Sequence, residues 1–76
     1  MADFKEIIAI DLDYKTGGYS CYWEKQDLAD ESIDYDWDLN VSLSDSIKFL
    51  RKYNYDTDYA IRKLVNKESY YKECEY

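Results

Sequence analysis

Ile33-Asp34-Tyr35-Asp36-Trp37-Asp38-Leu39-Asn40-Val41 alternates apolar and polar residues without a break. Successive side chains of a β-strand point to opposite faces, so the stretch is predicted to be a strand with two unlike sides. Ile33, Tyr35, Trp37, Leu39 and Val41 form one side; Asp34, Asp36, Asp38 and Asn40 form the other. In an antiparallel sheet packed on one face, the apolar side is expected to look inward and the aspartates toward water.

Downstream the period changes. Ser42 with Asp45 has the spacing of a helix-capping pair. Ile47, Leu50 and Tyr53, with Phe49 beside them, fit a helical stripe. Asn54-Tyr55-Asp56-Thr57 interrupts it, and Asp56 or Thr57 is placed to cap a second helix carrying Ala60, Ile61, Leu64 and Val65. That helix is expected to fray near Ser69 or run on into Tyr70-Tyr71, with residues 72–76 left unassigned.

Upstream, residues 6–14 read as a strand whose apolar side is Ile8, Ile10, Leu12 and Tyr14. Gly17-Gly18 is the strongest turn signal, because a glycine pair tolerates the positive φ of a two-residue hairpin loop. That loop predicts Tyr14 opposite Cys21, Leu12 opposite Trp23 and Asp11 opposite Glu24. The expected fold is therefore α+β: a three-stranded antiparallel sheet, made of an N-terminal hairpin plus a third strand, with two C-terminal helices on one face. At 76 residues, positions 1–76 are read as a single domain.

Composition narrows the function. With no His and only Cys21 and Cys74, neither a His-based relay nor a Cys/His zinc site can be assembled. No apolar run is long enough to span a bilayer. The opening Met1-Ala-Asp-Phe-Lys-Glu6 lacks the basic and apolar regions of a signal peptide, so a cytoplasmic chain with reduced thiols is expected. Cys21, on the apolar side, is expected to act as a small hydrophobe. The net charge of −7 argues against direct nucleic-acid binding and against anionic membranes. The charge is also uneven. Residues 1–45 hold twelve acids and three bases, whereas residues 46–76 hold five acids and seven bases.

Asp is a poor strand former, so three of them on one strand face ask for a reason. At ~3.3 Å per residue, Asp34, Asp36 and Asp38 stand about 6.6 Å apart, close to every second phosphate of a DNA strand. Asp11, Asp13 and Glu24 are expected on the same face, with Tyr22 as an aromatic anchor. The expectation is a small non-enzymatic inhibitor that mimics DNA or RNA and blocks the groove of a basic nucleic-acid-binding protein, a nuclease or CRISPR effector. The alternative is a protein–protein interaction module or a homodimer joined through Tyr and helix surfaces. In size and acidity the chain resembles phage-encoded anti-CRISPR and anti-restriction proteins, and bacterial immunity proteins that block nucleases; no motif carries that likeness.

Three local resemblances stand beside this expectation. Asp34, Asp36, Asp38 and Asp45, with Val41 between, resemble an EF-hand calcium loop, but Leu39 stands where that loop needs Gly and Asp45 where it carries Glu. Asp11-Leu12-Asp13 after Ile7–Ile10 resembles the first motif of metal-dependent phosphotransfer and ribonuclease-H-like folds, which need further acids and a longer chain. Leu50, Tyr53-Asn54-Tyr55, Ala60 and Leu64 resemble in spacing the first two helices of a ubiquitin-associated domain, with Tyr-Asn-Tyr in place of its Met-Gly-Phe loop. No metal, cofactor or catalytic residue is expected.

Overall fold

Six elements follow one another in the computed structural model, which describes residues 2–76: β1 (Phe4–Leu12), β2 (Tyr19–Asp27), β3 (Ile33–Val41), α1 (Leu43–Lys52), α2 (Asp58–Val65) and β4 (Tyr70–Glu75). The sheet is antiparallel, with strand order β3-β2-β1-β4. The helices lie on one side of it. The α+β class agrees with the sequence reading, but the sheet has four strands rather than three. The extra strand takes in most of the unassigned tail together with Tyr70 and Tyr71, which the second helix, ending at Val65, does not reach: Tyr70, Tyr71, Lys72, Glu73 and Cys74 pair with Ile10, Ala9, Ile8, Ile7 and Glu6.

Both helix starts follow their caps. Ser42 Oγ accepts from the Asp45 amide at 3.1 Å, and Thr57 Oγ1 from the Ala60 amide at 3.1 Å. Each satisfies an amide that the first helical turn leaves free. The core joins Ile8, Ile10, Tyr19, Cys21 and Tyr70 of the sheet to Phe49, Leu50, Ala60 and Leu64 of the helices. The buried Tyr19 hydroxyl donates to the Leu64 carbonyl. Val65, expected on the inner stripe, is 55% exposed.

The hairpin register differs from the expected one. Leu12 faces Tyr19, Ile10 faces Cys21, Ile8 faces Trp23, and Asp11 faces Ser20 rather than Glu24. The loop is Tyr14–Gly17, closed by the Asp13 amide donating to the Gly18 carbonyl at 2.8 Å. Local polar contacts favour it: Asp13 Oδ1 accepts from the Lys15 amide at 2.9 Å and Thr16 Oγ1 from the Gly18 amide at 3.2 Å. Only Gly17 takes a positive φ, 73°. The slip from the expected pairing is by an even number of residues, so the apolar face survives it. Tyr14 drops out of that face into the loop and is 83% exposed.

The register of β3 overturns the expected direction of its two sides. Cys21 pairs with Asp38, Trp23 with Asp36 and Lys25 with Asp34. Residues directly opposite in a ladder share a face. Asp34, Asp36 and Asp38 therefore lie on the helix-bearing side, and Ile33, Tyr35 and Trp37 on the open side. The physical reason lies in the layer above. The helices cover the centre of the sheet, while α1 touches β3 only lightly, so an aspartate there is still solvated or finds a cation. A bulge between Asp38 and Val41, with Asn40 at a φ of 56°, ends the regular ladder.

Candidate interaction surface of the sheet

Among the described residues, no element covers the open face, which presents an ordered array. One cross-strand row reads Trp37, Tyr22, Ala9, Tyr71; the next reads Tyr35, Glu24, Ile7, Glu73. The Tyr35 and Trp37 rings stack with centroids 5.3 Å apart and planes 5° from parallel. Such offset pairs stabilise each other beyond their burial. Tyr35, Trp37 and Leu39 are nevertheless 59%, 54% and 64% exposed. Leu39 and Trp37, with Asp11, Ser20 and Tyr22, line a shallow apolar hollow of about 360 Å³.

Carboxylates sit among the rings. The Tyr22 hydroxyl donates to Glu24 Oε1 at 2.8 Å, and the Tyr71 hydroxyl to Glu73 Oε2 at 3.0 Å. Lys5 Nζ lies 2.9 Å from Glu73 Oε1, and its hydrogen bond, followed by that of Tyr71, holds the Glu73 carboxyl below its usual range. Asp11, Glu24, Glu73 and Glu75 on this face outnumber its one base, Lys5. The result is an apolar, aromatic centre with an acidic surround.

The seven residues expected to act together are divided. Asp11, Tyr22 and Glu24 are on the open face. Asp13 closes the hairpin loop, where its carboxylate accepts from the Lys15 amide and organises the turn. Asp34, Asp36 and Asp38 are on the opposite side, along the outermost strand. The predicted single comb of carboxylates is thus not formed, because β3 presents its other side to the open face.

Within the comb, Asp36 is internally paired. It accepts the Tyr53 hydroxyl and lies 3.0 Å from Lys52 Nζ; these bonds, Tyr53 first, hold its carboxyl below the usual range. Tyr53 in turn stacks on Trp23, with centroids 4.1 Å apart. Asp34 and Asp38 remain exposed. Residues 34–41 are strand, not the loop that a calcium site of EF-hand type needs. Among the described residues, no three Asp, Glu, Cys or His side chains converge as a metal site.

A further carboxylate went unnoticed in the sequence. Glu6 is buried and accepts from Trp23 Nε1 at 3.1 Å and from the Tyr76 hydroxyl. Burial pushes its carboxyl up, but the hydrogen bonds of Tyr55, Tyr76 and Trp23 outweigh it and hold the group low. Glu6 ties the start of β1 to Trp23 of β2 and to the last residue, Tyr76. Tyr35, Trp37 and Leu39 were also missed as surface residues, since alternation alone does not say which side is covered. Among the described residues, no helix is long and apolar enough to cross a membrane. Comparison with protein-family models, with curated proteins and with solved structures finds no match for this chain.

Proposed function

We propose that this chain is a non-enzymatic binding module that docks on a partner protein through the open face of its sheet. The observation that carries the reading is the contiguous set Tyr35, Trp37 and Leu39, each more than half exposed on a face that no other element among the described residues covers. Large aromatic residues give contact area at small entropic cost and dominate binding energy when a partner desolvates them. The surrounding acids select a partner with a basic rim and disfavour a face-to-face second copy, which would oppose like charges.

A second reading is favoured by the charge distribution. Residues 1–45 carry twelve acids against three bases, and an inhibitor that mimics DNA or RNA would use that excess to occupy the groove of a basic nucleic-acid-binding protein, such as a nuclease or CRISPR effector. With β3 oriented as described, this role falls to exposed Asp34 and Asp38 with the acids of the neighbouring β2–β3 turn.

Capture of partners from host lysate separates the two. The first reading expects capture that is lost in Tyr35→Ala/Trp37→Ala and persists at roughly 0.5 M salt, where exposed charges are screened within a few ångströms. Capture lost in Asp34→Lys/Asp38→Lys and at high salt, but kept in the aromatic double variant, overturns it in favour of mimicry.

A further inference from the structure

The open face alone is a modest platform. Three strands of nine residues and one of six, at ~4.8 Å spacing and ~3.3 Å rise, give a footprint of about 520 Å², short of the ~800 Å² per partner of a standard interface. The surface continues at the outer edge of β3, which no strand among the described residues covers. From Ile33 to Asp38 the edge is regular, with nearly every residue exposed; beyond it the bulge interrupts the ladder.

We propose that this edge accepts an added strand from the partner protein, one whose side chains alternate between basic and apolar. The proposal rests on the open-face reading and names the chemistry of the partner. An added strand extends the sheet, so its alternate residues stand beside Asp34, Asp36 and Asp38 on one side and beside Ile33, Tyr35 and Trp37 on the other. Bases satisfy the first set and apolar residues enlarge the aromatic patch with the second. Asp36 already holds Lys52 and Tyr53, so the two bases belong opposite Asp34 and Asp38, with a small neutral residue between. A groove of about 290 Å³ between β3 and α1, lined by Asp36, Asp38, Asp45, Lys48, Phe49 and Lys52, gives a long arginine side chain room to lie down; its three carboxylates outnumber its two lysines, and Lys52 is held by Asp36.

The same aspartates exclude a second copy. Two β3 edges brought together about a two-fold axis place an aspartate row against itself, and like charges directly opposite destabilise a strand pair. Charged residues and bulges on edge strands guard against self-association. Here they leave the edge open to a basic strand and closed to its own kind.

The probe is the peptide Val-Arg-Val-Thr-Val-Arg-Val, titrated into the full chain, with amide hydrogen exchange read along β3. Binding with new protection at residues 33–38 is expected. Affinity should fall at least tenfold when the peptide amides facing the edge are N-methylated, or when the same residues are reordered so that the arginines are adjacent. Asp34→Lys/Asp38→Lys should reject this peptide and accept Val-Glu-Val-Thr-Val-Glu-Val. Equal binding of the N-methylated or reordered peptides, absence of protection in β3, or no binding overturns the added strand. None of these touches the open-face reading, which is decided by capture with Tyr35→Ala/Trp37→Ala.

Discussion

Trp23 and Asp36 are cross-strand partners, so a carboxylate stands on the same side of the sheet as the hydrophobic core. The Tyr53 ring stacks on Trp23 while its hydroxyl reaches Asp36, so one tyrosine serves both neighbours. Asp36 thereby becomes a structural residue of an otherwise exposed row. Replacing it with Ala should destabilise the fold by about 1 kcal/mol, a charged hydrogen bond discounted for partial exposure. Asp34→Ala and Asp38→Ala should stay within ~0.5 kcal/mol of the parent. Urea unfolding followed by tryptophan fluorescence checks the difference; equal effects at all three positions would contradict the pairing.

Glu6 supplies an acid-sensitive contribution. Its carboxyl is held low in the folded state, so the folded chain binds its proton less readily than the unfolded chain. The stability it confers is complete above the ordinary Glu value of about 4.3 and is lost as pH falls from there through the lowered folded value. Asp36 acts in the same direction at lower pH. Glu6→Gln should flatten the loss of stability between about pH 5 and 3. Glu6→Ala should cost about 2 kcal/mol at neutral pH by leaving Trp23 and Tyr76 without an acceptor. Unfolding midpoints measured across that pH range test both.

The two glycines serve different ends. Gly17 needs its positive φ, and a Cβ there meets nothing, so Gly17→Ala should cost about 1 kcal/mol through backbone strain alone. At Gly18 a Cβ would come within 2.5 Å of Asn40 Oδ1, the atom that accepts the Thr16 hydroxyl at 3.1 Å. Gly18→Ala should therefore be relieved in an Asn40→Gly background, where the positive φ at position 40 is also easier to hold. A double-mutant cycle with a coupling near zero would rule out this contact as the cause.

Trp37 is exposed and Trp23 half-buried. Acrylamide, which is neutral and indifferent to the acidic surface, should quench two distinct emission components. Trp37→Phe should remove the accessible one. A single shielded component in the parent chain would mean that the open face is covered in solution.

Cys21 is 1% exposed, and burial, followed by Asp38 and Asp45, pushes its thiol up to about 12. A thiol of that kind is inert to alkylation at neutral pH. Cys74 is half-buried, with its Sγ 3.2 Å from the Tyr55 hydroxyl. Mass spectrometry after iodoacetamide should find Cys21 unmodified in the native chain and modified once unfolded.

Much of this architecture is legible in local residue patterns. The cap at Ser42, a second cap at Asp56 or Thr57 (Thr57 in the structure), the change of period after Val41 and the alternation of residues 33–41 each depend on neighbours in the chain, and each appears in the structure. The C-terminal strand was not legible. Tyr70 to Glu75 is held to β1 by partners some sixty residues earlier, and a short mixed segment shows no sign of such a partner. The aspartates were seen, but their direction was not. Alternation states that β3 has an acidic side and an aromatic side, and it is silent on which one the helices meet.

That choice belongs to the tertiary structure. Pairing Cys21 with Asp38 rather than with a neighbour sets the side chains of β3 from Ile33 to Asp38, because a shift of one residue exchanges the two faces, and the bulge beyond returns Val41 to the core side. The helices bury the apolar side chains of the middle strands and reach β3 only through α1, so hydrophobic burial does not force the aromatic side inward there. The chain's own order of residues determined the elements, the caps and the acidic excess. Packing determined that the rings face outward and that Asp36 is joined to Tyr53 and Lys52.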